Sequence, residues 1–197
     1  MDAFETVVAS ILQRQGFWTL TSVKVELTKA EKRKIGRHSS PRWELDVVAY
    51  RGRDNEVRVI ECKSFLDSGG VHCSAFNGAD PVFSKRFKLF GDSTLRRVVF
   101  RRLEKQLVTA GFCANKPTMR LCLAAGKIRG SEDEKVWLQH HFEKKNWILL
   151  GPEEIRESLR TLRDSGYENS VAAVVTKLVL RDGKRVKSPK PGVDAEV

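Results

Sequence analysis

The stretch that decides the fold is WELDVVAYRGRDNEVRVIECKS, from Trp43 to Ser64. Trp43, Leu45, Val47 and Ala49 alternate with Glu44, Asp46, Val48 and Tyr50, and alternation resumes from Glu56 to Lys63. Between them lies the polar run Gly52-Arg53-Asp54-Asn55. Period-two patterning, β-branched residues and a Gly-containing break predict a β-hairpin. With Gly52 to Asn55 as the loop, Arg51 faces Glu56, Asp46 faces Glu61 and Glu44 faces Lys63. Opposed residues share a sheet face with Cβ atoms about 4.5–5.5 Å apart, where like charges destabilise the pair. Folding gives no reason to set Asp46 beside Glu61. A divalent cation between them would turn repulsion into ligation, and such an oxygen-rich site suits Mg2+.

The flanking chain supplies the other elements of a mixed α/β fold. Phe4, Val7, Val8, Ile11 and Leu12 recur with helical spacing up to a stop at Gly16. Phe17 to Leu27 reads as a strand, and Thr28 to Arg42 as a basic loop carrying Lys32, Arg33 and Lys34. Phe65 to Ser93 lacks clear periodicity, as functional or mobile insertions do. Within it Lys85, Arg86 and Lys88 interleave with Phe83, Phe87 and Phe90. These aromatics either stack on bases beside gripped phosphates or pack the insertion onto the core. His72-Cys73 is too small a cluster for a metal site. A helix from Asp92 or Ser93 to about Ala110 buries Leu95, Val99, Leu103 and Leu107. Its other side carries Arg97, Arg101 and Lys105, widened by Arg96 and Arg102. That band reads either as a solvated face or as a nucleic-acid contact.

Thr118 to Ala125 reads as a buried strand, Ser131 to Asn146 as a helix and Trp147 to Leu150 as a last strand. His140 and His141 are adjacent, so they do not share a helical face as an HxxxH pair would. Gly151-Pro152 opens a helix, and a further helix spans about Glu168 to Leu180. Residues 1–164 thus form one α/β domain, 165–181 a helix packed on it, and 182–197, rich in Lys, Pro and Gly, a disordered tail.

Composition narrows the partners. Thirty-six Lys and Arg against 25 acidic residues give the 197-residue chain a net charge of +11. That excess points to a polyanion or an anionic surface. No apolar run approaches the ~20 residues of a membrane span, and no signal peptide precedes the first helix. Cys62, Cys73, Cys113 and Cys122 are scattered without a CxxC pair, which fits buried thiols in a cytoplasmic protein and argues against structural zinc.

Asp46, fourteen intervening residues, then Glu61-Cys62-Lys63 resembles the PD-(D/E)xK signature of restriction-endonuclease-like nucleases, with Leu45 where proline is common. Its specific part is confined to the hairpin, while the order of elements is similar over about residues 2 to 160. The ending WILLGPEEIRESL resembles Mrr-type domains, and the Mrr-like and Holliday-junction-resolvase-like branches are nearest. The resemblance implies a restriction-endonuclease-like core and an endonuclease acting on DNA, a homodimer where both strands are cut. Asp46 and Glu61, with the Cys62 carbonyl, would hold Mg2+ or Mn2+ in its place. Lys63 would be the active-site lysine, with Glu44 steadying it. Glu5 matches by position a first-helix glutamate that reaches the metal, and equally completes a capping box with Asp2. Gln106 matches a glutamine that some branches carry. Lys32, Arg33, Lys34, Lys85, Arg86, Lys88, Arg97 and Arg101 are the candidates for phosphate contact. The alternatives are a nuclease-fold module that binds nucleic acid without cutting, and a basic assembly protein.

Overall fold

A computed structural model describes residues 2–36, 42–164 and 170–180. The chain runs α1 (Ala3–Arg14), β1 (Trp18–Val25), α2 (Lys29–Lys34), β2 (Trp43–Arg51) and, past a 3-10 turn at Gly52–Asp54, β3 (Glu56–Lys63). Three one-turn helices follow, α3 (Ser74–Asn77), α4 (Pro81–Ser84) and α5 (Lys88–Gly91), then the long α6 (Ser93–Thr109). The rest is β4 (Thr118–Ala125), α7 (Glu132–Lys144), β5 (Ile148–Leu150), α8 (Pro152–Arg163) and α9 (Val171–Leu180). The five strands lie in chain order in one sheet. β1, β2 and β3 form an antiparallel meander, while β4 and β5 run parallel to β3. Parallel neighbours need crossovers, and α6 and α7 lie in those connections.

The sheet is covered on both faces. One face packs Val48, Val57, Val59, Leu121 and Leu123 against α6, α7 and the 65–93 insertion. The other packs Val47, Ala49, Ile60, Cys122 and Ala124 against Val8, Ala9 and Leu12 of α1 and against Phe17. Full burial of such aliphatic side chains contributes about 1.5–3 kcal/mol each. Burial on both faces explains why Val47, Val48 and Ala49 are all apolar and all fully buried.

Several expectations need correction. The first strand ends at Val25, not Leu27. The 28–42 loop begins as a helix, capped by Thr28 and Glu31 in a reciprocal capping box. Arg102 of α6 grips the Glu31 carboxylate at 2.9–3.1 Å, so Lys32, Arg33 and Lys34 sit on an anchored turn. Residues 37–41 lie outside the described residues. The insertion is not structureless: Phe76, Phe87 and Phe90 meet Phe142 and Trp147 in one aromatic cluster, with Phe87 1% exposed. Its phenylalanines therefore pack onto the core rather than stand free for stacking. The last helix is described from Val171, with Ala172, Ala173 and Thr176 buried, and it contacts α8 and α1. Its expected start at Glu168 and the 182–197 tail fall outside the described residues. Among the described residues no helix is long and apolar enough to cross a membrane.

Candidate active site

The hairpin keeps the expected register from Arg51–Glu56 to Val47–Ile60. There the two strands stop pairing, one step short of Asp46 and Glu61. In place of a ladder bond, the Cys62 N–H donates to Asp46 Oδ2 at 2.7 Å. On the other side of β2, pairing with β1 skips Asp46 and Ser22, and Ser22 takes a left-handed φ of 51°. A non-glycine residue there is uncommon and marks a local distortion. The distortion exchanges the faces of β2. Leu45 packs on the same side as Val48, although they are three residues apart, while Val47 packs on the α1 side. Asp46 stands at this crossing, so its charge reaches Glu61 and also Glu5 on α1.

Burial, above all, pushes the Glu61 carboxyl up from its ordinary range, and the Asp46 charge pushes it further. The Lys63 ammonium and, more weakly, Lys88 pull it back. Lys63 Nζ donates to Glu61 Oε1 at 2.5 Å. This ion pair corrects the expectation that Glu44 holds Lys63; Glu44 instead opposes Lys24 across β1 and β2. Burial also raises Glu5, against the pull of a hydrogen bond from the Asp2 backbone and with help from Asp46. Asp2 itself caps α1 through Phe4 N at 2.7 Å. Glu5 Oε2 is left buried with no hydrogen-bond partner in the protein. An acceptor in that state costs about 1–3 kcal/mol. The Cys62 thiol is pushed up by burial and then by Asp46, Glu5 and Glu61. It packs with the α1-side core, so at the site Cys62 acts through its backbone.

Asp46, Glu61 and Lys63 open onto a cleft of about 490 Å3, which Glu5 and Cys62 do not line. Glu44, Asp46, Glu61 and Lys63 of the hairpin line it together with Lys85, Arg86 and Lys88 of the insertion, and the Lys88 charge reaches Glu61. Trp43, Phe65 and Leu89 supply its apolar surface. The sequence offered no signal for those three beyond their nearness to charged neighbours.

The fit of a cation rests on the donor set. Glu5, Asp46 and Glu61 do not bring three ligand oxygens within 4.8 Å of one another, whereas His72, Cys73 and Glu134, elsewhere, meet that spacing with their own ligand atoms. A tight all-protein cage is therefore absent at Asp46. Mg2+ does not require one: it keeps several waters and binds through one or two carboxylates. The unpartnered Glu5 oxygen is what a cation, or its bound water, would satisfy.

Other candidates lie elsewhere. Lys34, Arg97 and Arg101 line a separate cavity of about 70 Å3 with Glu31 and Val98. Lys32 and Arg33 share α2 with Lys34 and line neither cavity. Gln106 Oε1 accepts from Glu26 N at 2.9 Å and its Nε2 donates to Lys24 O at 3.2 Å. It closes the free end of β1 and takes no part in the cleft. Compared with protein-family models, with curated proteins and with solved structures, the chain matches none of them.

Proposed function

We propose that this chain is a Mg2+-dependent nuclease of PD-(D/E)xK type, an endonuclease acting on DNA in the cytoplasm. The observation that carries the reading is one cleft lined by Asp46, Glu61 and Lys63 and also by Lys85, Arg86 and Lys88. Asp46 and Glu61 would hold the ion, with Glu5 as the further oxygen behind Asp46. Bound there, Mg2+ would polarise a phosphodiester and lower the pKa of a bound water. The residues do the rest. The Cys62 N–H fixes the Asp46 carboxylate, leaving Oδ1 free of that bond. Lys63, held 2.5 Å from Glu61, offers a positive charge to the phosphate oxygen on which charge develops. Lys85, Arg86 and Lys88 position the backbone as phosphate contacts, which carry affinity without sequence information. Cleavage of both strands would bring two copies together.

The test is cleavage of linear, nicked, branched and single-stranded DNA, and of RNA, with Mg2+ and with chelator. Mg2+-dependent cutting that Asp46→Asn abolishes is the expected result. Binding without cutting would instead make the chain a nuclease-fold binding module.

A further inference from the structure

We propose a second metal site, for Zn2+ or a similar transition ion, formed by His72 Nε2, Cys73 Sγ and Glu134 Oε1 between the insertion and α7. It shares no residue with the Asp46 cleft. His72 Nε2 lies 3.1 Å from Glu134 Oε1, and Cys73 Sγ lies 3.6 Å from the same oxygen. All three ligand atoms fall within 4.8 Å of one another. Around a tetrahedral Zn2+ with ordinary bond lengths, N and O stand about 3.4 Å apart and S and O about 3.6 Å. The group is thus already close to ligation geometry. A nitrogen, a sulfur and one oxygen suit a borderline-soft ion and exclude Mg2+ as the preferred occupant.

Both sides of the group are fixed in advance by the backbone. Val71 joins Ile128 in an isolated parallel bridge, with Val71 N donating to Lys127 O at 2.9 Å and Arg129 N to Val71 O at 2.8 Å. This pins His72 and Cys73 beside the exit of β4. Gly70 makes the approach possible, since a Cβ there would stand 3.0 Å from Lys127 O and its φ is +88°. Glu134 is held by the capping box of α7: its Oε2 accepts from Ser131 N at 2.8 Å, leaving Oε1 to His72 and Cys73. His72 Nδ1 lies 2.9 Å from Ser74 Oγ. Ser74 N also donates to Nδ1 at 3.3 Å, so ligation through Nε2 requires the proton to move to Nδ1, where Ser74 Oγ accepts it as the outer hydrogen bond that metal-bound histidines make. Cys73 is 7% exposed, while the Glu134 side chain is 42% exposed, so solvent reaches the group from the Glu134 side. Three protein ligands then leave a fourth position for water. Such an ion would tie α7 to the segment that carries Lys85, Arg86 and Lys88.

The experiment is a Co2+ titration of the full chain, reduced and stripped of metal. One Co2+ per chain should bind, with thiolate-to-metal charge-transfer absorption and tetrahedral ligand-field bands, and Zn2+ should displace it. C73S should abolish the charge-transfer band. E134Q keeps a capping side chain at this position, so the helix start survives. It should weaken Co2+ binding more than about tenfold, because even outer partners of a metal are worth about 10–100-fold. C62S and D46N should leave the spectrum unchanged, separating this site from the proposed catalytic one. Absence of the band in the wild-type chain, its persistence in C73S, its loss in C62S, or unchanged affinity in E134Q would each overturn the assignment.

Discussion

The two ends of one hairpin treat charge in opposite ways. At the closed end Glu56 is buried, and its carboxylate takes Arg58 Nε at 2.6 Å and Arg51 Nη2 at 3.2 Å. Arg51 also holds Asp54, and both guanidinium groups lie over the Phe17 ring at 4.3 and 4.4 Å. Two cations and two anions close on themselves, and every one of those contacts serves folding. At the open end Glu44, Asp46 and Glu61 line one cleft with the ion-paired Lys63, Glu61 is pushed up by burial, and Glu5, within reach of the Asp46 charge, keeps an unpartnered oxygen. The same strands, a few residues apart, hold one cluster that the fold explains and one that it does not. The second is the cluster that the proposed cation would satisfy.

The sharpest way to break this contrast is to neutralise the open end. Asp46→Asn and Glu61→Gln should each lower Mg2+-dependent cleavage more than about a hundredfold, above what outer partners of a metal are worth. Neither should unfold the protein, which circular dichroism would check. Lys63→Ala should lose activity comparably while keeping Mn2+ binding by calorimetry, since an ammonium does not ligate. Near-normal cleavage in any of the three would remove the cleft from the chemistry.

The closed end predicts the reverse. Glu56→Gln leaves Arg51 and Arg58 short of a buried counter-charge and should destabilise the fold by about 3 kcal/mol, the low end for a broken buried pair because the side chains retain slight exposure. Urea denaturation measures it. Metal-dependent turnover in the surviving folded fraction should be unchanged.

Much of this was legible in the sequence, for identifiable reasons. The hairpin register followed from turn length and alternation, and holds for each pair up to Val47–Ile60. Alternation carries no information on where β2 exchanges faces, because Val47, Val48 and Ala49 are all apolar. The halted pairing, the opposite packing of Leu45 and Val47, and Ser22 in a left-handed conformation a strand away reveal the crossing at Asp46. Lys85, Arg86 and Lys88 were found by charge, yet their direction depends on phenylalanines that anchor the insertion from beneath. Glu134 escaped notice because its capping role accounts for it locally, and its partners lie 61 and 62 residues away in sequence.

A smaller effect tests the burial and crowding of carboxylates at the open end. Glu61 and Glu5 both have pKa values raised above 4.5, so the native state holds these protons at pH values where the unfolded chain has released them. Their contribution to stability is present below about pH 4.5 and is lost as pH rises through the raised values. Glu61→Gln should therefore flatten the fall in stability between about pH 4.5 and neutrality. Mg2+ in hundredfold excess over its Kd should add about 2.7 kcal/mol at neutral pH to the wild-type chain. Glu5→Gln should keep the melting temperature, since Asp2 caps α1 through Phe4, but should weaken that stabilisation. A loss of stability with normal Mg2+ response would make Glu5 a capping residue only.

The mildest perturbation separates two basic regions. Lys85, Arg86 and Lys88 line the same cleft as the carboxylates, whereas Arg97 and Arg101 line a small cavity with Lys34 and Glu31. Each phosphate neutralised on duplex DNA contributes about −0.9 to the slope of log K against log salt. If a duplex crosses the cleft, replacing Lys85, Arg86 and Lys88 with alanine should flatten that slope by nearly three units. Replacing Arg97 and Arg101 should flatten it by about two if the backbone continues over α6, and by nothing if it turns away. Both variants should melt within a degree or two of wild type, because surface charges contribute little to stability. The pair of slopes thus traces the path of the backbone. A slope that responds to the helix pair and ignores the cleft triad would place the nucleic acid on α6, away from Asp46, and would separate binding from the site proposed for cleavage.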